Sequence, residues 1–273
     1  MQALNTAAFA ALSDKQLGVL GTMAVQSLLT SQVAALTATQ IPKLSTAVIQ
    51  ALTTDQVPAL NNKALAALTT AQIQALTTDE VVALATSQIP ALVAKQLGVL
   101  KTNQVQALET RDIQALTSVQ IAALGTANIA ALSTGTTGQI QAIGADIAGL
   151  TTAQIVALST AQVQDLTTDE MSALTSRQIA KMTDSDVSVL SSSQVGAIRT
   201  GAIDAVVNLS KLSTAGVQGL TSAQIPILTT AQILTLGTDF ICAVPSARIS
   251  SVDNTPICAG VSVAMAFVLS ALT

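Results

Sequence analysis

A chain of 273 residues can bury a large core, yet only 1% of this one is aromatic, three Phe with no Tyr or Trp, while 50% is apolar. Its 11 basic and 15 acidic residues leave a net charge of −4, which excludes the basic surface that nucleic acid needs, and the apolar content excludes disorder. Histidine is absent, which removes the commonest general base and metal ligand, and two cysteines cannot supply a four-thiolate zinc site.

The N-terminus, Met1-Gln2-Ala3-Leu4, has no basic stretch before its apolar residues and does not read as a secretory signal. A repeat is in register from Ala3-Leu4 onward with no polar cap before it, so the chain is expected to be a segment of something longer. Leucine then occupies every eighth position from Leu4 to Leu132, seventeen times without a miss. A second aliphatic or aromatic residue falls five places after each of the first sixteen, from Phe9 and Leu17 to Ile121 and Ile129. The unit is Leu-Thr-Thr-x-Gln-Ile-x-Ala, as in Leu68 to Ala75.

A single helix cannot accommodate this spacing, because eight residues at 100° rotate the apolar stripe by about 80° per octad. A chain of short helices can. The residue after Leu is often Ser, Thr or Asn (Ser13, Thr37, Ser45, Thr53, Asn61, Thr69, Thr77, Thr117). Three places further comes Gln or Glu (Gln16, Gln40, Gln56, Gln72, Glu80, Gln120), the spacing of a capping box. Leu before the cap and Ile or Val in the fourth helical place form the hydrophobic staple. Charges up to residue 133 keep to the first four places after each Leu, with Lys43 as the exception. Ala85, Val93 and Lys101 are poor caps. Pro42, Pro58, Pro90 and Pro226 at the sixth place limit each helix to little more than one turn. The expected fold is an all-α solenoid of short capped helices, one per octad. A β-solenoid of Thr, Ile and Val strands is the alternative, disfavoured by the prevalence of Ala, Gln and Leu.

Gly135, Gly138, Gly144 and Gly149 mark a first joint at 133–149, where Leu132 to Leu150 spans eighteen residues, two more than two octads. The register resumes at Leu150 and runs to Ile198, slips at 199–211, and returns at Leu212, Leu220, Leu228 and Leu236. These are read as joints within one solenoid over 1–241, followed by a non-repeat segment at 242–273. That segment holds Cys242 and Cys258, which either close a disulfide that caps the solenoid or remain free buried thiols. Ile257 to Leu272 is apolar and uncharged, but sixteen helical residues reach about 24 Å, so a helix covering the open end is expected in preference to a membrane anchor.

The octad resembles the Leu-Thr-x-x-Gln-Ile-x-Ala-Leu arrays of large bacterial surface or secreted repeat proteins over roughly residues 3 to 241, which implies an extracellular or cell-surface role. The stretch Leu68 to Leu76 is also similar to the first helix of the repeats in transcription-activator-like effectors. That family's period in the thirties, base-reading loop and basic inner face are missing here, so DNA binding is not carried over.

Candidate chemistry is sparse. Asp79-Glu80, Asp169-Glu170 and the pair Asp184 and Asp186 lack the ligand-rich loop of a calcium site and read as acids placed at helix starts, where the helix dipole favours them. A serine nucleophile has only lysine as a base. No catalytic, cofactor-binding or metal-ligating residue is assigned, and no cofactor is expected. Lys95, Lys101 and Arg111 are the one mild candidate for a binding patch. The chain is expected to act as a scaffold or adhesin-like arm that binds protein or itself and not nucleic acid, with a protein- or peptide-binding module as the alternative.

Overall fold

A computed structural model of the chain describes residues 5–236. The sequence features at Cys242 and Cys258, and the apolar tail, lie outside the described residues. Within them the octad becomes a short helix that begins at its second place, as in Thr70–Ala75, Thr78–Val82, Thr102–Ala107 and Thr110–Gln114. No strand occurs among the described residues, which sets the β-solenoid aside. The chain is an all-α solenoid.

Helices end where the octad leucine is extended, as at Leu76, Leu108, Leu124 and Leu166. Leu76, at φ −55° and ψ 134°, closes one helix, and Thr77, at φ −74° and ψ 165°, opens the next. Two consecutive extended residues turn the chain sharply, and the turn is tied by Leu76 N–H donating to the Ile73 carbonyl at 3.3 Å. The cap works as the sequence implies: the Thr69 hydroxyl accepts from Gln72 N–H while the Gln72 side chain accepts from Thr69 N–H. Ala85, Val93 and Lys101 lack a side-chain cap, yet Gln88, Gln96 and Gln104 still reach back to their backbone N–H groups. Proline shortens the helix further. Pro42, Pro58, Pro90 and Pro226 all sit in 3₁₀ turns, Ile41–Lys43, Val57–Ala59, Thr86–Ala91 and Ile225–Ile227.

Helices three octads apart pack side by side. Thr46–Ile49 lies against Thr70–Ala75, Asn62–Ala66 against Thr86–Ala91, and Thr78–Val82 against Thr102–Ala107. The chain divides into two compact units after Leu150. The second unit repeats the same spacing, with Thr168–Ala173 against Ser192–Ala197 and Ser176–Ile179 against Thr200–Ala205. In both units the leucine column and its companion five places on fill the interior. Ile41, Ile73, Leu97, Ile129, Val163 and Val195 are all at most 1% exposed. The columns thin in places: Leu12, Leu20 and Leu100 are half-buried, as is Ile225, and Ile233 is exposed. Apolar contact holds successive turns, since one octad has no second apolar layer of its own.

The joints change octad length while keeping the columns. Buried Ile140 and Ile143 stand in for the companion and the leucine, so Leu132 to Ile143 takes eleven residues. Ile143 to Leu150 then takes seven, with buried Ile147 as companion. The extra three residues form a turn through Gly135, whose φ of 98° suits only glycine among common residues. At the second joint Ile203 and Val206 complete an ordinary octad after Ile198, and the shortfall lies between Val206 and Leu212, where buried Leu209 serves as companion.

Candidate functional site

Besides the apolar columns, the repeat buries one mainly polar column, the fourth place after the leucine, with apolar exceptions such as Val48, Ala64 and Gly216. Gln32, Gln40, Gln56, Gln72, Gln88, Gln96, Gln104, Gln120, Gln154, Gln162, Gln178, Gln194 and Gln224 are all buried. A buried amide must satisfy both its acceptor and its donor ends. The oxygen closes the capping box of its own helix. The nitrogen crosses to the preceding turn. Gln72 Nε2 donates to the carbonyls of Ile41 and Leu44, both at 2.8 Å. Gln104 Nε2 does the same to Ile73 and Leu76, again at 2.8 Å. Gln96 reaches Leu65 and Leu68 at 2.9 Å, and Gln88 reaches Val57 at 3.2 Å and Leu60 at 2.7 Å. In the second unit Gln194 donates to Val163 and Leu166 at 2.8 Å. The acceptors lie 31 and 28 residues back along the chain. They are carbonyls at or just past the end of a helix, where the i→i−4 ladder has run out; the one 31 residues back also accepts the turn bond of its octad leucine.

The first joint preserves this device. Gln139 accepts from Ser133 N–H at 3.2 Å and donates to Val105 at 2.9 Å and Leu108 at 2.7 Å, although three residues have been inserted before it. After the second joint, Gln224 reaches Val195 and Ile198, now 29 and 26 residues back, consistent with two residues lost.

Shorter side chains in the fourth place behave differently. Asp112, 0% exposed, accepts from Glu109 N–H at 3.1 Å and from the Thr86 hydroxyl, a second-place residue 26 positions earlier, at 2.8 Å. Asn128 accepts from the Thr102 hydroxyl at 3.2 Å and donates to the Leu100 carbonyl at 2.9 Å. The shorter side chain adds a second-place hydroxyl as donor to its oxygen, and Asn128 still reaches the carbonyl 28 residues back.

The acidic pairs split between two environments. Asp79 and Asp169 are exposed at helix starts, as the sequence suggests. Glu80, Glu170 and Asp186 also lie in the first turn of their helices, but in the buried fourth place. Glu80 Oε2 accepts from Thr77 N–H at 2.6 Å and from the Thr77 hydroxyl at 2.8 Å. Burial, the largest influence, pushes the Glu80 carboxyl above the ordinary glutamate range, and the Thr77 bonds oppose it. Asp186 accepts from Thr183 in the same manner, at 2.8 and 2.7 Å. Asp184 is exposed and pairs with Lys211 at 3.6 Å.

The basic candidates are not gathered. Arg111 pairs with Glu109 of its own octad at 2.6 Å, while Lys95 and Lys101 are exposed on two other octads. Lys43, the exception to the charge pattern, pairs at 3.0 Å with Asp14 of the preceding turn. A shallow depression of about 530 Å³ is lined by Leu36, Thr37, Asn61, Asn62 and Lys63. Its Asn61 amide already donates to the Ala34 and Leu36 carbonyls at 3.0 and 2.8 Å. Among the described residues no group of three or more acidic or cysteine side chains converges on one point, and no helix is long and apolar enough to cross a membrane.

Sequence reasoning found the fourth-place glutamine as a capping residue and missed its second bond. The signal was present: a cap alone is served by Glu as well as Gln, and the column strongly prefers the amide. These features define a repeat protein whose turns are joined by side-chain amides. Family comparison agrees: the model of the ALTTAQ repeat matches residues 49–86, 63–94, 105–144 and 137–176, and those six letters are spelled at Ala67 to Gln72. The matched stretches cross the first joint. No curated protein matches the chain.

Proposed function

We propose that the chain is a non-enzymatic structural scaffold, an adhesin-like repeat arm belonging to a surface or secreted protein of bacterial type. The observation that supports this is the fate of the buried polar column. Amides from Gln40 to Gln139 and from Gln194 to Gln224 are spent on holding one turn to the next. The buried polar column therefore serves cohesion, which is what a spacer requires. Exposed places carry mainly Thr, Ser and Ala, a surface suited to lateral packing against protein or against further copies.

Antibody labelling of intact cells that make the chain tests the placement. Labelling before lysis, removed by protease treatment of the cell surface, is the expected result. Labelling only after lysis rejects a surface arm. A saturable small-molecule site found by ligand screening rejects the scaffold role itself.

A further inference from the structure

The fourth place of the octad Leu76 to Ala83 holds a carboxylic acid where its neighbours hold an amide. Glu80 is 2% exposed, and its helix, Thr78–Val82, carries the same capping box as the Gln octads. One oxygen, Oε2, is fully engaged by Thr77, and the other, Oε1, is buried without a hydrogen-bond partner. On either side, Gln72 and Gln88 aim the corresponding atom, Nε2, at carbonyls 31 and 28 residues back. Counted by the same spacing, the carbonyls that correspond for Glu80 are those of Ile49 and Leu52, 31 and 28 residues back. A carboxylate oxygen facing two carbonyl oxygens is repelled, whereas a protonated one donates.

We propose that Glu80 is a pH-dependent clasp: neutral, its single Oε1–H donates to one of the Ile49 and Leu52 carbonyls where a glutamine amide would donate to both, and its ionisation releases that contact between turns.

Apart from the Thr77 N–H and hydroxyl, which favour the anion, the neighbouring helices offer it no positive charge. Asp79, on its own helix, opposes ionisation. The packed helix Thr102–Ala107 contains no titratable side chain, nor does Thr46–Ile49, which supplies the carbonyl of Ile49. Burial raises the carboxyl, and that direction fixes the sign. Stability from the clasp is fully present below the ordinary glutamate value of 4.5 and is lost as pH rises through the raised value in the folded chain.

The test is isosteric replacement, Glu80→Gln, in the full chain, with amide hydrogen exchange of wild type and variant compared at matched pH. For the segment around Ile49 to Leu52, the opening equilibrium of wild type relative to the variant should rise with pH, by up to about tenfold per unit while one proton is lost. Carboxyl-carbon NMR of wild type should show Glu80 titrating above the ordinary glutamate value. A second variant, Gln104→Glu, should import the same dependence at Ile73 to Leu76. A wild-type to variant ratio that does not change with pH, or a Glu80 carboxyl that titrates at or below the ordinary value, overturns the clasp.

Discussion

Glutamine in the fourth place carries an acceptor and two donors on one flat group, and the octad uses both ends at once. Its oxygen finishes the capping box, and its nitrogen closes helix-end carbonyls of the preceding turn. Removing it leaves buried partners unsatisfied on two turns, a larger loss than that of one exposed hydrogen bond. Gln104→Ala should therefore cost about 2–4 kcal/mol in urea unfolding. Gln16 offers the internal control, because it makes the capping bonds to Ser13 but is exposed and makes no bond to another turn. Gln16→Ala should cost about 1 kcal/mol or less. Equal losses at the two positions would mean that the cross-turn bond adds nothing to the cap.

At the scale of the element, the helix is set by local chemistry and its length by the extended leucine at its end. Thr69 and Gln72 start a helix, and Leu76 stops it, so little is left to distant contacts. This is why helix class, caps and the two apolar columns could be read from Leu4 to Leu132. The joints were legible only as net changes in length. Between Leu132 and Leu150 the sequence shows two extra residues, whereas the fold resolves them into three gained before Ile140 and one lost before Ile147. Ile140, Ile143 and Ile147 are equally plausible in either column by composition, and only packing assigns them. The acceptors of the cross-turn bond were hidden, because a separation of 28 to 31 residues belongs to the stacking of turns, and only the column's preference for the amide hinted that a second bond exists. Close packing also explains Gly149, whose added Cβ would lie 2.3 Å from the Ser118 carbonyl oxygen. Gly149→Ala should lower stability by about 1–3 kcal/mol through this backbone collision, measured by calorimetry. A neutral effect would mean that the two segments do not approach so closely.

Across the whole molecule, cohesion comes from aliphatic columns and neutral amides, with charge in a minor part. The ion pairs Lys43–Asp14, Arg111–Glu109 and Lys211–Asp184 are all substantially exposed, and such pairs contribute little each. The thermal midpoint should accordingly fall by less than about 4 °C between low and high sodium chloride. A larger fall would assign the turns' attachment to charge. Hydrogen–deuterium exchange on Gln104→Ala tests the central claim, that fourth-place amides fasten each turn to the one before it. The expected result is lost protection around Leu68 to Leu76, far upstream of the substitution, together with its own helix. Loss confined to Lys101 through Leu108, with the upstream segment unchanged, would contradict it.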